Sequence, residues 1–218
     1  MPRFTNLDGS VNPHHLGTVL RWKLGLHDGP RFSARDGVGA GAPVSANDGS
    51  ALRGARHPSL TWIGHASYLV QLGGRSALID PVFSDRLALL PRSAPPGVAR
   101  ADLPKIDLVL ITHNHRDHMD APSLRLIGDA PLYVVPEGLG SWFRRAGFSR
   151  VVELAWWEQR ELEGLAVTFV PAQHWSRRGL FDDHTSAWGG YVLEAEGLRV
   201  YHSGDTAYFE GFAEIGRR

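Results

Sequence analysis

The segment Thr112-His113-Asn114-His115-Arg116-Asp117-His118 contains three histidines and an aspartate in the pattern H-x-H-x-D-H. It overlaps the end of Asp107-Leu-Val-Leu-Ile-Thr112, whose apolar run predicts a strand buried on both faces. The side chains therefore lie in a loop after a strand end, where a rigid scaffold presents them to a cleft. On a helix, side chains at this spacing would point in different directions around the axis, whereas a tight loop can bring them together. Imidazole and carboxylate groups brought together in this way predict a site for two zinc or similar divalent ions.

A solvated polar loop that contains histidines by chance is the alternative interpretation of this segment. The chain has 11 histidines among 218 residues, so three of them beside an aspartate within six residues are improbable by chance. We therefore interpret residues 113–118, called the histidine loop below, as the metal-binding segment.

The composition restricts the other classes of function. Lysine plus arginine and aspartate plus glutamate both number 23, so we expect no nucleic-acid partner, which usually leaves a basic excess. The absence of cysteine excludes disulfides, thiolate metal sites and a cysteine nucleophile. The sequence shows no signal-peptide pattern, and its apolar runs are far shorter than the roughly 20 residues of a membrane span. We expect a cytoplasmic location.

From residue 59 onward, short β-runs alternate with turn signals, which favours a layered α/β fold over a helical bundle. Gly73-Gly74 predicts a hairpin turn because both glycines tolerate positive φ. Helices are predicted at 121–127, at 138–146 and from residue 207 onward. The predicted strands are 60–63, 67–72, 76–79, 108–112, 132–135, 151–154, 166–170, 190–194 and 198–202.

Residues 1–58 differ from the rest of the chain, because they are rich in Gly, Pro, Ser, Asp and Asn and show little periodicity. Only 16–26 has a helical pattern. We predict an N-terminal extension over 1–58, partly flexible near 30–50, that docks on a core domain over 59–218.

Further stretches of the core carry a family resemblance. The sequence resembles the metallo-β-lactamase superfamily, and within it the branch of N-acylphosphatidylethanolamine-hydrolysing phospholipases D. The resemblance covers about residues 59–218 and implies an α/β (α+β) fold, a four-layer αββα sandwich. Besides the histidine loop, the shared stretches are Thr61-Trp-Ile-Gly-His65-Ala-Ser67, Ile79-Asp80-Pro81-Val-Phe-Ser84, Glu153-Leu-Ala-Trp156-Trp157-Glu158, Pro171-Ala-Gln-His174-Trp175-Ser176, Trp188-Gly-Gly190, Gly204-Asp205-Thr206 and Glu214-Ile-Gly216.

The resemblance implies six ligands for two zinc ions: His113, His115 and His174 for the first, Asp117 and His118 for the second, and Asp205 between both. It also implies that Asp117 and His118 are catalytic, with Asp117 guiding the proton of the attacking water. The family has a last histidine ligand near its C-terminal end, usually in a His-Trp-Gly segment, which does not occur before Arg218. We therefore expect a truncated chain that lacks this ligand of the second site and the last C-terminal elements of the fold.

The resemblance implies hydrolysis of phosphodiester lipids with an N-acylated head group, such as N-acylphosphatidylethanolamine, to phosphatidate and an N-acylethanolamine. Two zinc ions a few Å apart would supply a bridging hydroxide at neutral pH and neutralise charge on the phosphoryl oxygens. Manganese and iron stay open as alternatives to zinc. A lipid substrate also predicts peripheral membrane contact, for which the apolar loop 87–96 is a candidate; a buried connector is the alternative.

Other polar residues of these regions have candidate roles. Asp80 ends an apolar strand run, and the resemblance favours a carboxylate that orients a metal-bound histidine over a turn aspartate. His65, Arg177 and Arg178 are candidate substrate contacts, the two arginines as fork-shaped donors to phosphate. An ordinary loop histidine and a solvated arginine are the alternatives. His184 lies in a polar loop and is predicted to be exposed.

Two other functions stay open. The same fold can carry a lactonase or another metal-dependent hydrolase, because a fold does not fix a substrate. Outside the enzymes, the alternative is a truncated and inactive remnant that binds metal weakly. The sequence predicts no particular oligomeric state.

Overall fold

The computed structural model describes residues 4–11, 26, 48–54, 57–87, 90–92, 94–179 and 182–218. The predicted helix at 16–26 and the predicted flexible part near 30–50 lie outside these ranges, apart from residues 26 and 48–50. In chain order the elements are α1 (Ser50–Arg53), β1 (Ser59–Gly64), β2 (Ser67–Leu72), β3 (Arg75–Ile79), β4 (Arg86–Leu87), β5 (Leu90–Pro91), a 3-10 turn (Arg100–Asp102), β6 (Leu108–Leu110), α2 (Ala121–Ile127), β7 (Leu132–Pro136), α3 (Gly140–Arg145), β8 (Val151–Leu154), β9 (Gln159–Leu162), β10 (Leu165–Pro171), β11 (Gly189–Ala195), β12 (Leu198–His202) and α4 (Gly211–Arg217).

Two main sheets organise the described part of the chain. The first has six strands in the order β1-β2-β3-β6-β7-β8, antiparallel from β1 to β3 and parallel from β3 to β8. The second has four antiparallel strands in the order β12-β11-β10-β9. In the β2–β3 hairpin, Gly73 and Gly74 have φ of 55° and 70°, which explains the glycine pair.

The strand β6 is buried on both faces and separates two hydrophobic cores. Leu108 and Leu110 point into the core between the two sheets, together with Phe169 and Tyr191 of the second sheet. Val109 points to the other face, where Phe143 of α3 and further apolar residues form the second core. This alternation explains why the predicted strand reads as a continuous apolar run.

Helices cover the outer faces of both sheets. The Asp120 side chain caps α2 by accepting a hydrogen bond from Ser123 N, and Pro122 occupies its first turn, where a missing N–H costs nothing. On the opposite side, Phe212 and Ile215 of α4 line a hollow against the outer face of the second sheet. The arrangement is the αββα layering predicted above.

All nine predicted strands are present, with bounds that shift by a residue or two. The pattern did not predict β9, because this edge strand reads Gln-Arg-Glu-Leu and is almost entirely exposed. Among the described residues, no helix is long and apolar enough to cross a membrane.

Candidate metal centre

Four strand ends meet at one edge of the sandwich. Asp80 directly follows β3 and the histidine loop follows β6, while His174 and Asp205 lie just beyond the ends of β10 and β12. The two sheets are joined here by Gly189 N, which donates to Thr112 O at 3.1 Å. The topology thus brings together side chains that lie between position 80 and position 205 of the sequence.

Gly204 permits the close approach of the second sheet to the histidine loop. It has a φ of +60°, and a Cβ at this position would lie 2.6 Å from Gly189 O and 2.9 Å from Thr112 Cβ. Both the backbone conformation and the lack of space require glycine. The neighbouring Asp205 is thereby held beside the histidine loop.

Three histidine rings converge on one point. Nδ1 of His115 lies 2.8 Å from His113 Nε2 and 3.2 Å from His174 Nε2. Nitrogen ligands arranged tetrahedrally at the usual zinc distance lie about 3.3 Å apart, close to this spacing. Three imidazole nitrogens that face one another at this spacing form a donor set that fits a shared cation.

Burial keeps these three imidazoles neutral. It lowers the pKa of His115 to about 4 and that of His174 to about 3, and it holds the pKa of His113 well below its usual range. Neighbouring histidines act in the same direction on all three. Neutral imidazoles with free lone pairs are the form that binds divalent metals.

A second cluster adjoins the first. Oδ2 of Asp205 lies 3.3 Å from His118 Nε2 and 3.8 Å from His174 Nε2, so this carboxylate faces both clusters. Oδ2 of Asp117 lies 3.2 Å from Nε2 of His65, and the contact with His65 lowers the pKa of Asp117. The donor atoms of His65, Asp117 and His118 all lie within 4.8 Å of one another. The six ligands implied by the resemblance therefore surround one small volume.

The buried side chain of His118 is oriented by Asp80. Its Nδ1 lies 2.8 Å from Asp80 Oδ2, and the same carboxylate accepts hydrogen bonds from Thr112 N at 2.8 Å and Thr112 Oγ1 at 2.6 Å. Asp80 has a positive φ of 43° and is fully buried. This is the position expected of a carboxylate that orients a metal ligand.

Nε2 of His118 is buried, and within the described residues no atom meets it in hydrogen-bond geometry. Burial lowers the pKa of His118, but the carboxylates of Asp205 and Asp80 outweigh burial and raise it to about 10. A cation at Nε2 would take the place of that proton between the carboxylates. The orphaned nitrogen and the oxygen and nitrogen donor set both fit a divalent metal.

Arg178, rather than Arg177, contacts the histidine loop. Nη1 of Arg178 donates to Met119 O at 2.6 Å and approaches Asn114 O at 3.4 Å, and its guanidinium lies over the Trp142 ring. Burial lowers the pKa of Arg178. The side chain of Arg177 instead bends back so that Nε donates to Gly179 O at 3.2 Å, and its role as a substrate contact stays a prediction.

The prediction that His184 is exposed is wrong. Its relative exposure is 3%, because Phe4 N donates to its carbonyl and the ring of Trp188 packs against it. The sequence also gave no signal for Asn6, which lies beneath His174, or for the packing of Trp175 against His174 at 4.2 Å between ring centroids. The Asn6 contact joins residues that are 168 positions apart, whereas Trp175 directly follows His174.

Known proteins share this fold and parts of this sequence. A model of the beta-lactamase superfamily domain matches residues 75–218. An uncharacterized protein of Mycobacterium tuberculosis is 34% identical over 224 residues, which cover 98% of this chain and 59% of that protein. N-acyl-phosphatidylethanolamine-hydrolyzing phospholipase D 1 of Caenorhabditis elegans is 35% identical over 176 residues, which cover 72% of this chain and 49% of that protein. The chain therefore spans about half to three fifths of the length of these relatives.

A solved structure has a similar fold. Igni18, a metallo hydrolase from Ignicoccus hospitalis, matches with a TM-score of 0.55 and 25% identity, covering 73% of this chain and 66% of that chain.

Proposed function

The chain belongs to the metallo-β-lactamase superfamily, and from that premise we propose that it is a zinc-dependent phosphodiesterase of the phospholipase D type. The proposed substrates are N-acylphosphatidylethanolamine-like lipids. The observation that carries the proposal is the convergence of six ligand-type side chains from three separate strand ends, with Asp205 facing both clusters.

His113, His115 and His174 would hold one ion, and Asp117 and His118 a second, with Asp205 between them. A bound pair of divalent cations supplies a water of lowered pKa and positive charge for the oxygens of the reacting phosphate. The chain supplies the arrangement: Asp80 fixes the ring of His118, and the low pKa values of the buried histidines keep their lone pairs available at neutral pH.

The charge of the loaded site suits an anionic substrate. Two divalent cations carry more positive charge than the carboxylates of Asp80, Asp117 and Asp205 carry negative charge, so the site attracts a phosphodiester. The side chain of His65 is half exposed and faces Asp117, where its imidazole can reach an oxygen of the bound phosphate. The ring of Trp175 beside His115 offers apolar surface next to the polar centre.

The substrate class rests on the relative from Caenorhabditis elegans, whose name states the hydrolysis of N-acyl-phosphatidylethanolamine. The match covers 72% of this chain. A lipid of this kind is presented at a membrane surface, so we also propose peripheral membrane contact. Residues 88, 89 and 93 of the candidate loop lie outside the described residues.

The experiment is a comparison of substrates with the purified chain loaded with zinc. N-acylphosphatidylethanolamine in mixed micelles is compared with phosphatidylcholine, a soluble bis-aryl phosphodiester and a panel of lactones. Phosphatidate and N-acylethanolamine are detected by mass spectrometry, and the His174→Ala variant and a chelator-treated sample are the controls. We expect release of N-acylethanolamine that depends on the metal and on His174.

Three results would contradict the proposal in different ways. Turnover of lactones alone assigns a lactonase on the same fold. Zinc bound without turnover of any substrate supports an inactive metal-binding protein. Activity restored by iron or manganese but not by zinc replaces only the metal.

A further inference from the structure

Asn6 is a buried polar residue near the N-terminus that contacts the main chain of His174, a proposed metal ligand. Its relative exposure is 5%. Its Oδ1 accepts hydrogen bonds from His174 N at 3.0 Å and from Trp188 Nε1 at 3.1 Å. These partners lie 168 and 182 residues further along the chain, so the contact is wholly tertiary.

Asn6 is itself held in one orientation by a compact turn. Asn6 N donates to Ser10 O at 3.0 Å, Gly9 N donates to Asn6 O at 2.9 Å, and Asn6 Nδ2 donates to Ser10 Oγ at 3.3 Å. Gly9 has a φ of 75°, which the turn requires. Two donors on one side of the amide and a hydroxyl on the other fix which end is oxygen.

The main chain of His174 needs an acceptor from outside its own sheet. The residue lies beyond Pro171, the end of β10, so its buried N–H has no neighbouring strand to bind. An unpaired buried donor of this kind costs about 1–3 kcal/mol. Asn6 Oδ1 satisfies that N–H. Because the same oxygen accepts from the indole of Trp188, it also links His174 to the residue that precedes β11.

The neighbouring Gln173 is fixed from the opposite side. Gln173 N donates to Thr206 Oγ1 at 3.0 Å, and Ala207 N donates to Gln173 O at 3.0 Å. The segment that carries His174 is therefore held between the Asp205 loop on one side and Asn6 on the other. Release on the Asn6 side would let the main chain rotate and move Nε2 of His174 away from His115 and Asp205.

We propose that Asn6 is a positioning residue of the metal centre, which holds the backbone of His174 so that its imidazole faces the first metal position. Residues 4–10 are then part of the active-site structure and not only an appended extension. The inference rests on the proposed metal site but not on the proposed substrate.

The test measures metal binding by the full chain, with cobalt(II) as the probe. Asn6→Leu keeps the approximate volume but removes the acceptor, whereas Asn6→Asp keeps the acceptor. Leu7→Ala is the matched control, because Leu7 lies in the same turn but its side chain is 49% exposed. Cobalt affinity is measured by competition with a chromophoric chelator, and the visible spectrum of bound cobalt reports the ligand geometry.

We expect Asn6→Leu to weaken the tighter cobalt site about 10–100-fold, as is usual when a partner of a metal ligand is removed. Its spectrum should shift, while Asn6→Asp should recover most of the affinity and Leu7→Ala should match the unchanged chain. A merely structural role would lower the melting temperature of the metal-free chain without changing the spectrum.

Unchanged affinity and spectrum in Asn6→Leu, or an equal loss in Leu7→Ala, would overturn the inference while the proposed function stands. If Asn6→Leu fails to fold by circular dichroism, Asn6→Ser, whose hydroxyl is too short to reach His174 N, takes its place with the same expected loss. If the unchanged chain binds no cobalt, the metal site itself is wrong, and the inference fails with it.

Discussion

Nδ1 of His118 lies 2.8 Å from Oδ2 of Asp80, although 38 residues separate them. The parallel pairing of β3 with β6 explains the contact, since Ile79 pairs with Leu110 and both strands end at the same edge. Asp80 is the first residue after one strand, and the histidine loop begins shortly after the other. The sheet register therefore sets the orientation of His118, a proposed metal ligand.

Replacement of Asp80 by alanine should weaken both metal binding and folding. The change leaves Thr112 N, Thr112 Oγ1 and His118 Nδ1 without their acceptor. We expect zinc affinity to fall about 10–100-fold and the free energy of unfolding to fall by about 1–3 kcal/mol. Isothermal titration calorimetry and urea unfolding measure the two effects.

Asp107→Ala is the matched control for this substitution. Asp107 directly precedes β6 at the opposite end of the strand, where it accepts from Ser76 N at 3.0 Å and pairs with Arg75. Its loss should cost stability without changing zinc affinity. Equal zinc affinities in the Asp80 and Asp107 variants would show that Asp80 does not orient His118.

Arg178→Ala should loosen the histidine loop, whereas Arg177→Ala should not. Arg178 is a donor to the carbonyls of Met119 and Asn114, at the two ends of the loop segment that carries His115, Asp117 and His118. We expect weaker zinc binding and faster amide hydrogen exchange in the loop for Arg178→Ala, with only partial recovery in Arg178→Lys, because a lysine lacks the planar fork.

Arg177→Ala distinguishes the bracing role predicted for Arg178 from the substrate contact predicted for Arg177. It should leave zinc affinity unchanged, and if Arg177 contacts substrate it should raise KM. The same zinc affinity in both alanine variants would refute a bracing role for Arg178.

Gly204→Ala should disrupt the centre, and Gly197→Ala should not. Both glycines have positive φ, +60° and +75°, so each substitution carries a similar backbone cost of about 1–2 kcal/mol. A Cβ at Gly204 would meet Gly189 O and Thr112 within 3 Å, whereas at Gly197 nothing lies within 4 Å. We expect similar losses in stability from strain, but loss of metal binding and activity only at Gly204. Full activity of Gly204→Ala would show that Asp205 does not need this close packing.

The sequence alone predicted the parts of the centre that lie on regular elements. The histidine loop follows an apolar strand and Asp80 follows another, so the position of each at a strand end can be derived from local pattern. The placement of His174 and Asp205 came from the family resemblance, because nothing in local spacing shows that the two sheets meet there.

Asn6, Arg178 and His184 show the limits of the pattern: nothing marked Asn6, Arg178 was not distinguished from Arg177, and His184 was expected to be exposed. Adjacent arginines look alike in sequence, and only packing against Trp142 decides which one turns inward. His184 is polar and in a loop, yet the N-terminal segment covers it. Such contacts join segments far apart in the chain, so hydrophobic periodicity carries no information about them.

Removal of metal should lower the melting temperature of the chain. Metal bound only by the folded state adds about 4 kcal/mol of stability at a free concentration of 1,000 times Kd. For a chain of this size each kcal/mol corresponds to roughly 2–4 °C, so we expect a chelator to lower the melting temperature by about 10 °C in scanning fluorimetry. His174→Ala, which lacks a ligand of the first ion, should show a smaller shift, because less metal is bound before the chelator is added. If the chelator produced equal shifts in both chains, His174 would contribute nothing to metal binding, and the first site would have to be built from other residues.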